Sequence, residues 1–208
     1  MQGKIITISR QCGSGGHSIG SELAKRLDVP FYDREIIEMA AKESGFHKGF
    51  VEEKEEHMNS SLLFNIARYA SYGGRGRYED YQPLQDQLYF AQVKVIKELA
   101  GKGPCVIVGR CADYILRDRK DVLNIFIHAD MTFKKKHCME RGQFSEGDNT
   151  EDRIRRRDKF RADHYQYYTD RKWGDSFHYH LCLDSSAFGI EGCVSIIEDA
   201  CRGMHPAL

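Results

Sequence analysis

The apolar and polar positions along the chain predict strands that alternate with helices. Five short runs of mostly apolar or β-branched residues are typical of strands in a buried parallel sheet. They are Lys4–Ser9, Val29–Asp33, Pro104–Val108, Val122–Ile127 and Tyr179–Asp184. Alternation of such strands with helices indicates a parallel sheet covered on both faces. We therefore expect an α/β fold with three layers, α/β/α.

Apolar residues three or four positions apart predict the helices. The helical segments include one with Ile19, Leu23 and Leu27 on one stripe, then Arg34–Ser44, Leu84–Ala100, Thr132–Arg141 and Ile190–Cys201. The pattern loosens over residues 46–83 and again over the polar residues 142–149. No internal repeat and no low-complexity linker interrupts the chain, so the sequence predicts one domain over residues 1–208.

The segment between the first strand and the first helix is a candidate phosphate-binding loop. Its glycines let the backbone approach an anion, and the helix N-terminus adds partial positive charge. The match to the motif G-x-x-x-x-G-K-[ST] is incomplete, because Arg10 stands at the first glycine and Gly16 at the lysine. His17 takes the hydroxyl position, which leaves Ser18 as the candidate magnesium ligand. A glycine-rich turn without a ligand is the alternative.

Charged residues follow two of the predicted strands at the end where open α/β sheets bind ligands. Asp33 ends the second strand and is either a ligand-binding group or the N-cap of the next helix. Arg110 follows the third strand, and a buried guanidinium without a partner is costly. A bound phosphate suits it, with bidentate geometry. A structural carboxylate, either Asp113 or Asp33, is the alternative.

A dense cluster of basic residues precedes an aromatic segment near the end of the chain. Arg153, Arg157 and Arg161 fall on one helical face. This stripe is either a lid that closes over polyphosphate, a solvated face, or a nucleic-acid patch. Tyr165 and Trp173, in the segment that follows, offer either core packing or a partner surface.

Composition narrows the class of partner. The chain has 31 basic and 31 acidic residues, so its formal net charge of zero favours neither nucleic acid nor an anionic membrane. No apolar run is long enough to span a bilayer, and the N-terminal residues lack the features of a signal peptide. We expect a cytoplasmic protein with a small-molecule nucleotide partner, and a homo-oligomer is left open. The seven scattered cysteines are expected to be reduced. Cys12 is interpreted as a small packing residue, and a reactive thiolate favoured by the nearby helix N-terminus is the alternative.

Taken in order, these motifs resemble the cytidylate kinase-like family, which belongs with the P-loop nucleoside monophosphate kinases. The resemblance covers nearly the whole chain, and its most specific parts are Ser9–Gly16 and Gly109–Leu116. It implies a five-stranded parallel sheet of the P-loop nucleoside monophosphate kinase type. It also implies a helical NMP-binding insertion at about residues 46–83 and a lid at about residues 142–175.

The resemblance further implies transfer of the γ-phosphoryl group of ATP to CMP or another small acceptor, with Mg2+. The ATP phosphates would be held by Gly13, Ser14, Gly15, Gly16, His17 and Ser18, and the metal by Ser18. The substrate would be bound by Asp33, Arg34, Arg110 and Asp113. The catalytic residues, which would neutralise charge during the transfer, would be Arg10, Arg110, Arg157 and Arg161.

This sequence also departs from the family pattern. Gly16 replaces the lysine, Val108 stands where cytidylate kinases carry an aspartate, and the tyrosine and arginine expected after Asp33 are absent at that spacing. Losing one charge-stabilising group can cost about a hundred- to a thousandfold in rate. Our hypothesis is that Arg10 supplies the missing charge from a new position. A non-catalytic nucleotide-binding protein with a degenerate phosphate loop is the alternative function.

Overall fold

The computed structural model describes residues 4–44, 84–144 and 149–203. The strands are β1 (Ile5–Arg10), β2 (Phe31–Tyr32), β3 (Cys105–Val108), β4 (Val122–His128) and β5 (Leu181–Asp184). The described helices are α1 (Gly16–Leu27), α2 (Glu35–Ser44), α3 (Leu84–Lys102), α4 (Ala112–Ile115), α5 (Met131–Glu140), α6 (Thr150–Thr169) and α7 (Ser185–Gly203). A short 3-10 helix covers Ser176–His178. The predicted insertion at about residues 46–83 lies outside the described residues.

The five strands form one parallel sheet in the order β2-β3-β1-β4-β5. This confirms the predicted α/β fold and its five-stranded parallel sheet. The chain adds β2 and β3 on one side of β1, then β4 and β5 on the other side. The carboxyl end of β1 is therefore a topological switch point, where open α/β sheets bind their ligands.

The core explains why the first strand occupies the middle of the sheet. Ile6 and Ile8 of β1 are at most 1% exposed and pack with apolar residues of both neighbouring strands. Leu23 of α1 and Val194 of α7 cover the same cluster. Burial of each such side chain contributes about 1.5–3 kcal/mol. A rigid, fully buried strand therefore delivers the chain to the loop that follows it.

Several elements begin or end where the sequence pattern did not place them. The first strand extends through Arg10, which pairs with Ile127 of β4, so Arg10 leaves the sheet from a fixed position. Helix α7 starts directly after β5, because the Asp184 carboxylate accepts a hydrogen bond from the Ser186 N–H. The helix then bends at Gly189, whose φ is 67°.

Contacts divide the chain into two compact units, one of Met1–Asp33 with Ile96–Leu208 and the other of Arg34–Val95. The first unit contains the whole sheet. The second contains α2, where Ile36 and Ala40 are buried. The single domain with an insertion and a lid stays a prediction. Among the helices of the described residues, none has the length and apolar character needed to cross a bilayer.

Candidate functional site

The glycine loop after β1 forms a cradle of main-chain groups. Gly13 and Gly15 both have φ of 76°, in the left-handed region that favours glycine, and α1 begins at Gly16. A Cβ at Gly13 would lie 2.7 Å from the carbonyl oxygen of Lys134, and one at Gly15 would overlap Ile190. The cradle thus depends on positions that have no room for a side chain.

Two buried serines hold the loop in this conformation. The Ser14 hydroxyl donates to the carbonyl of Gln11 at 2.9 Å and also lies 3.2 Å from the carbonyl of Ile127. The Ser185 hydroxyl donates to the Ser14 carbonyl at 2.7 Å. Both serines are fully buried, so water does not compete for these hydrogen bonds. The loop is therefore tied to the ends of β4 and β5 before any ligand arrives.

The cradle fits the phosphates of a nucleotide. Its left-handed glycines and the first turn of a twelve-residue helix present backbone N–H groups to an anion. Ser18, in the first turn of α1, fits a magnesium ion, because Mg2+ takes few protein oxygens and completes its shell with phosphates and water. In this structure the Ser18 hydroxyl accepts a hydrogen bond from Arg141 at 2.7 Å, a cationic contact that a magnesium ion bound there would replace. Clusters of three or more His, Cys, Asp or Glu suited to a metal do not occur within the described residues.

The missing lysine of the loop has a steric explanation. A Cβ at Gly16 would lie 2.5 Å from Cβ and 2.8 Å from Cγ of Arg10. Contacts this short do not occur between real side chains, and atoms so close to the backbone cannot swing away. Arg10 and a side chain at position 16 therefore exclude each other.

Arg10 and His17 converge on Asp33 at the carboxyl ends of the strands. The His17 Nδ1 lies 2.7 Å from Asp33 Oδ2, and the Arg10 Nη2 lies 3.4 Å from Asp33 Oδ1. Burial alone would raise the pKa of Asp33, but the His17 hydrogen bond and the charges of Arg10 and Arg110 outweigh it and lower that pKa to about 2. Asp33 is therefore an ionised carboxylate that contacts the last residue of β1 and the first turn of α1, on either side of the loop.

The chain after β3 has an unusual backbone. Gly109, Arg110 and Cys111 are all left-handed, with φ of 77°, 59° and 54°. The last two are not glycines, and such residues store strain that clusters at functional sites. Arg110 directly follows Gly109, over which the Arg10 Nη1 lies, and its charge helps to lower the pKa of Asp33. The structure thus brings Arg110 into the same charged cluster as Arg10.

Asp113 lies in a different environment from Asp33. It is 3% exposed, and Tyr165 of α6 donates a hydrogen bond to its Oδ2 at 2.5 Å. Burial raises the pKa of Asp113, in contrast to the lowered pKa of Asp33. This contact ties α4 to α6, and a role of Asp113 in substrate binding stays a prediction. Arg34 is exposed and belongs to the second unit, so its predicted substrate contact also stays a prediction.

Helix α6 contacts the phosphate loop through charged residues. Arg161 Nη1 donates to the Arg10 carbonyl at 2.8 Å. The Asp158 carboxylate accepts from the Cys12 N–H at 2.6 Å and pairs with Lys134 Nζ at 3.3 Å. The Lys134 side chain is only 7% exposed. The basic stripe is therefore not merely a solvated face, because its Arg161 end contacts the loop.

The remaining stripe arginines lie over an aromatic ring. The guanidinium carbons of Arg153 and Arg157 lie 4.5 and 5.0 Å from the centre of the Phe144 ring. Phe144 packs in a small buried cluster with Cys12, Cys138 and Ile154, beside the loop. Cys12 is 3% exposed in this cluster, which supports its interpretation as a packing residue. A hydrogen bond with Cys138 lowers the pKa of Cys12.

All seven cysteines are free thiols, and five of them are buried, as the sequence predicted. The sequence interpretation missed the contacts of Asp158, Lys134 and Arg141, and it named Tyr165 without its hydrogen bond to Asp113. One signal was present, because Asp158 is the single acidic residue in the basic run 153–161. A single carboxylate within a run of basic residues indicates an ion pair, here the one between Asp158 and Lys134.

Sequence comparison decides the family. The profile of the cytidylate kinase-like family matches residues 5–187. The chain belongs to the cytidylate kinase-like family. This confirms the resemblance drawn from the glycine loop and the Gly109–Leu116 motif. No curated protein matches the chain.

Solved structures support the same fold for this member of the family. An uncharacterized protein from Eubacterium ventriosum is 26% identical with a TM-score of 0.72, over 97% of this chain and 99% of that one. A shikimate kinase from Bacteroides thetaiotaomicron is 13% identical with a TM-score of 0.56, over 96% and 98%. One from Acinetobacter baumannii is 12% identical with a TM-score of 0.54, over 95% and 92%. Family and fold together place the chain among the P-loop kinases.

Proposed function

We propose that this protein transfers the γ-phosphoryl group of ATP to a nucleoside monophosphate such as CMP, or to another small acceptor. The acceptor oxygen forms a bond to the γ-phosphorus, the bond from that phosphorus to the β–γ bridging oxygen breaks, and ADP leaves. A monophosphate acceptor is already an anion and needs no side-chain base. The work left to the protein is positioning and charge neutralisation.

The observation that carries the proposal is the backbone cradle at the switch point of the sheet. Gly13 and Gly15 are left-handed, Gly16 has no side chain, and α1 starts there. Backbone N–H groups so arranged suit polyphosphate even without a lysine. Membership of the cytidylate kinase-like family supports the same interpretation.

The other site residues would act from both sides of the loop. Arg157 and Arg161 of α6 would neutralise charge on the transferring group, and Arg161 already lies against the Arg10 carbonyl. Asp33 and Arg110 would face the acceptor from the ends of β2 and β3. When bound, Mg2+ would neutralise phosphate charge next to the Ser18 hydroxyl.

A second candidate function is nucleotide binding without catalysis. Arg10 excludes a side chain at position 16, so the lysine that usually reaches the β- and γ-phosphates cannot be present beside it. A loop altered in this way is expected to keep ATP binding through its backbone. It would lose part of the charge that stabilises the transition state.

One pair of measurements separates the two functions. Calorimetry measures the binding of ATP with Mg2+, and a coupled assay measures ADP release over a panel of nucleoside monophosphates. Arg161→Gln is the matched control for contaminating kinases, because it removes a charge next to the loop. Binding with turnover that falls in Arg161→Gln supports the kinase, binding without turnover supports the second candidate, and the absence of binding contradicts both.

A further inference from the structure

The Arg10 side chain runs from the end of β1 toward Asp33, a carboxylate that also contacts His17 in the first turn of α1. Arg10 is the last residue of β1, and its Nη2 lies 3.4 Å from Asp33 at the end of β2. In the sheet β3 lies between these two strands. The guanidinium therefore crosses the carboxyl end of β3, where its Nη1 lies over Gly109. Its charge therefore lies at the ends of β2 and β3, where the proposed function puts the acceptor.

Two glycines make this course possible. A Cβ at Gly16 would lie 2.5 Å from Cβ of Arg10, and a Cβ at Gly109 would overlap its Nη1. Gly16 thus leaves room for Cβ and Cγ of Arg10, and Gly109 leaves room for its guanidinium group. The loss of the lysine at position 16 and the direction of Arg10 are consequences of the same packing.

A second guanidinium belongs to the same edge. Arg110 follows Gly109 in a left-handed conformation, with φ of 59°. Arg110 directly follows the glycine over which the Arg10 Nη1 lies, and the charges of both arginines help to lower the pKa of Asp33. Two guanidinium groups thus act on one buried carboxylate. Planar guanidinium groups bind the oxygens of a phosphate through paired N–H donors.

We infer that Arg10 and Arg110 together bind the phosphate group of the acceptor, so that Arg10 acts in acceptor binding and not as a substitute for the loop lysine. The inference rests on the proposed function and adds a residue and a substrate group to it. Asp33 holds Arg10 across β3, which keeps the guanidinium at the acceptor edge. The acceptor class is then a small molecule that carries a phosphate.

The test follows the side-chain Nε–Hε signals of Arg10 and Arg110 by NMR in the full chain. A non-hydrolysable ATP analogue with Mg2+ is added first to saturation, and inorganic phosphate is then titrated as the acceptor probe. Both signals are expected to shift together during the phosphate titration. Arg10→Gln is expected to weaken phosphate binding, read at Arg110, by about tenfold or more. The same variant should change the affinity for the analogue less than threefold.

The controls keep the inference falsifiable. Arg119→Gln is the control. It removes an exposed arginine just before the amino end of β4, away from the carboxyl ends of the strands, and it should change neither titration. If the Arg10 signal responds to the analogue but not to phosphate, the inference is wrong. If Arg10→Gln does not fold, the inference is tested by the wild-type signals and by Arg110→Gln. That variant must likewise weaken the binding of phosphate and not that of the analogue. If the wild-type protein does not bind the analogue, the proposed function is wrong. The phosphate titration still tests the inference, because both arginine signals must shift together.

Discussion

Two regions lie at the carboxyl ends of the strands. One is the phosphate loop, and the other is the proposed acceptor edge, formed by Arg10, Asp33 and Arg110. They are built by different means. The loop is a matter of backbone shape, with Gly13 and Gly15 left-handed and Ser14 buried beneath them. The edge is a matter of charge, because Arg10 and Asp33 meet there from separate strands. Under the proposed function, donor binding would depend on the shape of the loop, whereas acceptor binding would depend on a balance of charges.

The largest expected effect concerns the ion pair that anchors the loop to α6. Asp158→Ala leaves Lys134 buried without its partner and removes the acceptor of the Cys12 N–H. We expect the free energy of unfolding to fall by about 3–5 kcal/mol. Urea unfolding measures the loss. The double variant Lys134→Met/Asp158→Leu is the control and should lose much less, whereas an equal loss would show that the pair is not the cause.

The shape of the loop is tested at Gly13. Gly13→Ala meets the Lys134 carbonyl at 2.7 Å, whereas Gly142→Ala has the same left-handed strain with nothing within 4 Å. We expect about 1–2 kcal/mol of destabilisation for Gly142→Ala. Gly13→Ala should lose about 1–3 kcal/mol more and should no longer bind ATP. Thermal unfolding and calorimetry measure these two quantities, and equal behaviour of the two variants would contradict a steric cradle.

The charged edge is tested by pH. The pKa of Asp33 is lowered from 3.8 to about 2 in the folded protein. Its stabilisation, about 2 kcal/mol, is therefore complete above pH 4 and is lost as the pH falls toward 2. The difference in unfolding free energy between wild type and Asp33→Asn should shrink by about 1 kcal/mol between pH 7 and pH 3. Urea unfolding at both pH values measures it, and a difference that does not change with pH would refute this origin of the stabilisation.

The smallest expected effect is the coupling between the two regions. Gly16→Lys alone should force Arg10 out of place, because the new Cβ would lie 2.5 Å from the Arg10 Cβ. Arg10→Gly removes that clash. We expect the double variant to be more stable than the sum of the single variants allows, by about 1 kcal/mol. A double-mutant cycle of urea unfolding gives this number, and additive effects would show that the two positions are independent.

The two regions also differ in how far the sequence could predict them. The loop is formed by residues that are adjacent in the sequence, so Gly13, Ser14 and Gly15, directly after the first strand, are enough to predict it. The fold follows equally directly from the alternation of apolar strands and helices, which fixes a parallel sheet. Backbone features of this kind are encoded by neighbouring residues.

The charged contacts could not be predicted in the same way. Arg10 pairs with Asp33 across 23 positions, and Cys12 donates to Asp158 across 146 positions. Such pairings depend on the order of strands and on the position of α6, which no local pattern reveals. The direction of Arg10 in particular depends on Gly16 and Gly109, two glycines that are far apart in the chain. Sequence reasoning therefore named Arg10 as a candidate site residue but could not predict that its side chain contacts Asp33.

The central claim is that a backbone cradle binds nucleoside triphosphate without the usual lysine. Calorimetric titration of the full chain with ATP and Mg2+ tests it most directly, with Gly13→Ala beside the wild type. We predict one binding site per chain in the wild type and no binding in Gly13→Ala. The absence of heat from the wild type with any nucleoside triphosphate, in the presence of Mg2+, would contradict the claim.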